Sequence, residues 1–179
     1  HAASPAGQVG MTTQHTDGDI VGDWKVVFAG YGAVQSYAKN SKRLALTPRA
    51  VSDASATSAS LAVSTESFAD KRVRINTRLV TTEQLRLNDA PNPWEVPWLV
   101  WDYQDNEHFY YAVAKPNGWE LGKRDPAYPG GQRFLATGSD IAVQIGDAAT
   151  LNVVRVDLGD KTRIKLKIDG ALVANFIDD

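Results

Sequence analysis

Residues 70–82, DKRVRINTRLVTT, repeat with a period of two. Val73, Ile75, Thr77 and Leu79 fall on one side of an extended chain, and Arg72, Arg74, Asn76 and Arg78 fall on the other. Successive side chains of a strand point to opposite faces. The run therefore predicts a strand with a dry apolar face and a wet cationic one. The same alternation returns in LNVVRVDLG (151–159) and KTRIKLKIDG (161–170). Gly159-Asp160 and Asp169-Gly170 stand where tight turns need residues that tolerate positive φ. Further strand candidates are 23–30, 33–37, 44–48, 60–64, 96–104, 108–115, 119–123, 132–138, 141–146 and 171–176. No 3.6-residue periodicity lasts beyond two turns. Strands spaced at roughly 8–12 residues with turn signals between them imply an all-β sandwich or barrel.

A chain of 179 residues has room for one domain with a real core. Residues 1–18, small and polar with Gly and Pro, read as a flexible N-terminal tail, and 19–179 as a single β-sandwich domain. The first residues, HAASPAGQVG, resemble the start of a mature exported chain, which predicts a secreted or periplasmic location. The net charge of −2 and pI near 5.9 argue against general nucleic-acid binding. No run approaches the ~18 apolar residues of a membrane span. With no cysteine there is neither a disulfide nor a thiolate metal site.

The aromatic residues concentrate between Trp94 and Asp125, which hold four of the five tryptophans. Two β-like runs lie inside, separated by a turn at Asp105, Asn106 and Glu107. Alternation sets Trp98, Asp102 and Gln104 against Leu99, Trp101 and Tyr103. The all-apolar set is expected in the core, leaving Trp98 and Asp102 on an open face. The next strand has no clean polar side: Phe109, Tyr111, Val113 and Lys115 share one face, and His108, Tyr110, Ala112 and Ala114 the other.

Two groups of residues resemble a known superfamily. One is the terminal hairpin, Arg155-x-Asp157…Arg163-Ile164-x-Leu166-x-Ile168-Asp169-Gly170-x-x-Val173. The other is Trp101-Asp102-Tyr103…Asn106-x-x-Phe109-Tyr110-Tyr111, followed by Gly118-Trp119-Glu120-Leu121-Gly122-Lys123. Together they resemble the concanavalin A-like lectin/glucanase jelly rolls, including bacterial laminin-G-like and glycosidase-related domains. The resemblance implies a two-sheet antiparallel β-sandwich of jelly-roll type and a carbohydrate ligand on a concave sheet. Related jelly rolls often hold a structural calcium, so the resemblance allows one here. They also usually add a further closing strand, so the resemblance implies an open C-terminal edge able to take a chain partner.

Sugar rings present apolar C–H faces that lie flat on aromatic rings. The expected glycan-binding set is Arg74, Asn76, Arg78, Trp98, Trp101, Asp102, Tyr111, Lys115, Glu120 and Lys123. Trp98 or Trp101 would stack on a sugar, and Arg74, Asn76, Arg78 and Lys115 would bond hydroxyls or carboxylates. Two enzyme readings compete with binding. A retaining glucanase needs two carboxyls about 5–5.5 Å apart. None of Glu66, Glu83, Glu95, Glu107 and Glu120 stands in the close Glu-x-Asp spacing that related glucanases carry. A polysaccharide lyase would use Arg74, Asn76 and Arg78 against a uronate carboxylate, with His108, Tyr110 or Tyr111 as base. A third alternative is a structural surface protein that assembles through its open edge. His1, His15 and His108 show no ligand spacing, and the acidic pairs Asp17/Asp19 and Asp178/Asp179 could share a metal only if the termini met.

Overall fold

The computed structural model describes residues 11–37, 40–53 and 59–179. Among these residues there is no α-helix, and every paired strand is antiparallel. The chain divides into two compact units, His1–Ser67 with Leu85–Ala90, and Phe68–Gln84 with Pro91–Asp179. The sequence, read as a single domain over 19–179, does not announce this division.

The first unit contains β1 (Met11–His15), β2 (Ile20–Val21), β3 (Trp24–Phe28), β4 (Ala33–Tyr37), β5 (Asn40–Thr47) and β6 (Leu61–Ser64). They form two three-stranded sheets, ordered β1-β4-β5 and β2-β3-β6. Val26, Ala29 and Val34 make a small core, with Leu44 against it. β1 lies where a loose tail is expected. Its sequence, MTTQH, lacks apolar alternation, and backbone pairing to β4 holds it. β3 turns into β4 through Gly30 and Tyr31, both at φ near +60°, closed by Gly32 N–H donating to the Ala29 carbonyl. A Cβ on Gly30 would stand 2.2 Å from the Ala59 carbonyl oxygen, so only glycine fits. The Ala/Ser-rich run 49–60, whose sequence allows a surface loop or a short helix, falls partly on 54–58, outside the described residues.

The second unit is a β-sandwich. β7 (Arg72–Val80), β8 (Trp98–Asp105), β9 (His108–Lys115), β10 (Gly118–Arg124), β11 (Gln132–Gly138), β12 (Ala148–Asp157), β13 (Thr162–Ile168) and β14 (Ala171–Asp178) build two four-stranded sheets. Their orders are β11-β10-β9-β8 and β14-β13-β12-β7. One core joins the sheets: Trp101, Ala112, Trp119, Leu121 and Leu135 from the first, and Ala149, Leu151, Val153, Ile164, Leu166, Ile168 and Ala174 from the second. Burying each large aliphatic side chain contributes about 1.5–3 kcal/mol. The expected turn chemistry is present at Gly159 (φ 97°) and at Asp169 and Gly170 (φ 48° and 86°).

The segment 141–146 differs from its expectation as a strand. Ile141 and Val143 pack against the core, but the chain there joins no ladder. It is held by Val143 N–H on the Lys115 carbonyl and Gly146 N–H on the Thr81 carbonyl. β14 is an edge strand and pairs only with β13 among the described residues.

Candidate functional site

The outward face of the β8–β11 sheet is organised in two rows. Trp98 stands opposite Val113, Val113 opposite Glu120, and Glu120 opposite Thr137. In the next row Val100 faces Tyr111, Tyr111 faces Gly122, and Gly122 faces Phe134. Tyr111 is fully buried although it points away from the core. Its ring stacks under Trp98 with centroids 4.5 Å apart, and its hydroxyl accepts a 2.5 Å bond from Gln132 Nε2. Gly122 supplies the room, since a Cβ there would stand 2.4 Å from Tyr111 Oη. Trp98 is held in turn by its indole N–H on the Trp94 carbonyl, 2.9 Å away. Burial pushes the Tyr111 hydroxyl above its ordinary pKa, against the bond from Gln132.

Beside this stack Lys115 Nζ and Glu120 Oε1 pair at 2.6 Å, both side chains largely shielded. They line a shallow depression of about 570 Å³, completed by Trp119, Phe134, Thr137, Gly138 and Ser139. Phe134 is 59% exposed, a large ring offered to solvent at the rim. The surface thus combines an aromatic face, a fixed charge pair and hydroxyls, a set able to hold a flat amphipathic ring with polar edges.

Four of the ten expected site residues, Trp98, Tyr111, Lys115 and Glu120, come together here. Three lie in or at one end of the core. Trp101 is 5% exposed and stacks on Tyr110, because it shares inward parity with Leu99. It therefore has no face to offer a sugar. Asp102 is exposed, at φ 48° in a bulge, and its Oδ1 accepts from Arg155 Nη2 at 3.0 Å. Lys123 is buried on Asp178, 2.6 Å away, and Asp178 is itself 3% exposed. Tyr110 (2.7 Å) and Arg133 (3.3 Å) also donate to Asp178, so this carboxylate ties three strands of one sheet to the last strand of the other. Burial, then the bond to Asp178, pushes the Tyr110 hydroxyl far above its ordinary pKa. Neither Tyr110 nor Tyr111 has a free hydroxyl set up as a base. The last three, Arg74, Asn76 and Arg78, lie on the outward face of the other sheet.

Sequence reasoning missed Phe134, Thr137 and the Asp178 network. Phe134 was legible in part, since QRFLATG places it opposite in parity to Leu135. The register shift between Leu121 and Gly122, which brings Phe134 and Thr137 to the same face, carries no sequence mark.

His108 sits in the β8–β9 turn with Nδ1 2.8 Å from Asp105 Oδ1 and 3.0 Å from Oδ2. The Asp105 hydrogen bond raises its pKa above the usual 6.5, and the same bond lowers that of Asp105. A histidine pKa raised on folding contributes stability at low pH that is lost as pH rises through the folded value. An NMR titration of His108 is expected to show a midpoint above 6.5. Asp105→Asn should bring the midpoint down, and an unchanged midpoint would remove the pairing.

Among the described residues, no three His, Asp or Glu side chains gather where they could hold a metal ion. Asp17 and Asp19 accept bonds from the Ala29 and Thr16 amides, and Asp178 is committed to Lys123. No helix among the described residues is long and apolar enough to cross a membrane. Compared with family models, with curated proteins and with solved structures, the chain finds no match.

Proposed function

We propose that this protein is an exported carbohydrate-binding module of the concanavalin A-like jelly-roll type, and that the depression on the β8–β11 sheet holds a sugar ring. The observation that carries the reading is the convergence of Phe134, Lys115 and Glu120 on one outward sheet face, backed by the Trp98–Tyr111 stack. Phe134 offers a hydrophobic platform for the C–H face of a pyranose. Lys115, Glu120, Thr137 and Ser139 ring it with donors and acceptors for hydroxyls. Two further observations support the family resemblance. Its two central segments are hydrogen-bonded neighbours, and its terminal Asp169-Gly170 forms the β13–β14 turn.

A glycan array identifies ligands, and calorimetry on the best of them tests the site. Phe134→Ala should weaken binding roughly tenfold, the scale of one lost aromatic platform. The fold should be unaffected because the side chain is exposed. Equal affinity in wild type and Phe134→Ala would place the ligand elsewhere. An array with no binder would end the carbohydrate reading. Product analysis on a bound polysaccharide separates a binder from a hydrolase or lyase.

A further inference from the structure

The outward face of the other sheet has a different chemistry. β7 presents Arg72, Arg74 and Arg78, and β13 presents Arg163, Lys165 and Lys167. Strand register aligns the two series across β12. Arg72, Val156 and Arg163 form one row, Arg74, Val154 and Lys165 the next, and Asn76, Asn152 and Lys167 the third. No acidic side chain stands at any outward position of the three strands. None of the six cations makes an ion pair with a described residue. Among the carboxylates at the sheet ends, Asp157 accepts the Gly159 amide, Asp169 accepts the Thr150 amide, and Asp179 pairs with Lys161. The whole chain carries a net charge of −2, so this positive strip stands against an acidic remainder.

We infer that the outward face of β7, β12 and β13 binds a linear acidic polysaccharide, its carboxylate or sulfate groups lying between the two cation series. Alternate residues on a strand repeat at roughly 6.6–6.8 Å, and two strand spacings set the series roughly 9.5 Å apart. An extended chain fits between them along β12, with cations on both flanks. β12 offers what a sugar backbone uses. Thr150 and the mutually hydrogen-bonded Asn76 and Asn152 meet hydroxyls, and Val154 and Val156 meet C–H surface. The chemistry disfavours nucleic acid. No aromatic ring lies at an outward position of these strands to stack a base, and single-strand binders depend on such platforms. This site is independent of the depression on the β8–β11 sheet, and either can fail without the other.

The test measures binding of the full chain to polygalacturonate, dextran, single-stranded DNA and phosphatidylserine vesicles at low and high salt. Polygalacturonate should bind, dextran should not bind at this face, and added salt should weaken the interaction. Arg74→Glu combined with Lys165→Glu should lower polygalacturonate affinity about tenfold or more. Both positions are exposed, and unchanged circular dichroism and melting confirm the fold. The double variant should lose the salt-sensitive polygalacturonate binding while still binding any neutral ligand of the depression, which separates the two sites. DNA or vesicles binding as tightly as polygalacturonate would overturn the inference, as would no binding to polygalacturonate or a double variant that binds like wild type.

Discussion

Asp178→Ala is expected to destabilise the protein by about 3–5 kcal/mol, the cost of leaving a buried cation without its partner. Lys123 supplies that cation. It is 9% exposed, and its ammonium is 2.6 Å from the carboxylate that would be lost. Arg133 would lose less, because its side chain is 38% exposed and its contact is 3.3 Å. Tyr110 loses one hydrogen bond, so Tyr110→Phe alone should cost only about 1 kcal/mol. Replacing both charges together tests the cause. Lys123→Met with Asp178→Leu should recover much of the loss, since apolar substitutes for a buried pair are often neutral. Urea melts of the three variants measure this. If Asp178→Ala melts like wild type, the carboxylate is not what joins the two sheets at that end.

Gly122→Ala is the second large effect expected, about 1–3 kcal/mol from overpacking. The new methyl group would meet Tyr111 Oη, Cζ and Cε1, all within 2.8 Å. A free side chain would swing away. Tyr111 is pinned by Trp98 on its ring and by Gln132 on its hydroxyl. The backbone at Gly122 has an ordinary φ, so the penalty is steric and not conformational. The displaced ring should also disturb the floor beside the depression and weaken any ligand bound there. Gly122→Ala paired with Tyr111→Leu should relieve the clash and restore stability. If Gly122→Ala alone is as stable as wild type, the Tyr111 packing is loose and cannot support the face above it.

Strands were legible in the sequence wherever their two faces differ in chemistry. β7, β12 and β13 alternate apolar with charged or polar residues because one side meets the core and the other meets water. β9 was legible as a strand but not by face. HFYYAVAK buries Ala112 in the core and also buries Tyr111 and Val113 on the opposite side, beside Trp98, so neither face is polar. The expected site was scattered for a related reason. Arg74 and Trp98 were both rightly expected on outward faces, but alternation does not tell which sheet a strand joins. The two lie on different sheets, with the core between them. Charged residues aimed inward, such as Lys123 and Arg155, were equally hidden, because parity alone would fill their positions with apolar side chains.

The order β14-β13-β12-β7 also bears on how the molecule assembles. β12, β13 and β14 are joined by short turns and can zip together early. β7 is separated from its partner β12 by the whole of the other sheet, and that long excursion must be closed before the pair can form. Pairings so distant in sequence slow folding. Closing the β7–β12 pair is therefore expected to set the pace at which the whole sandwich forms.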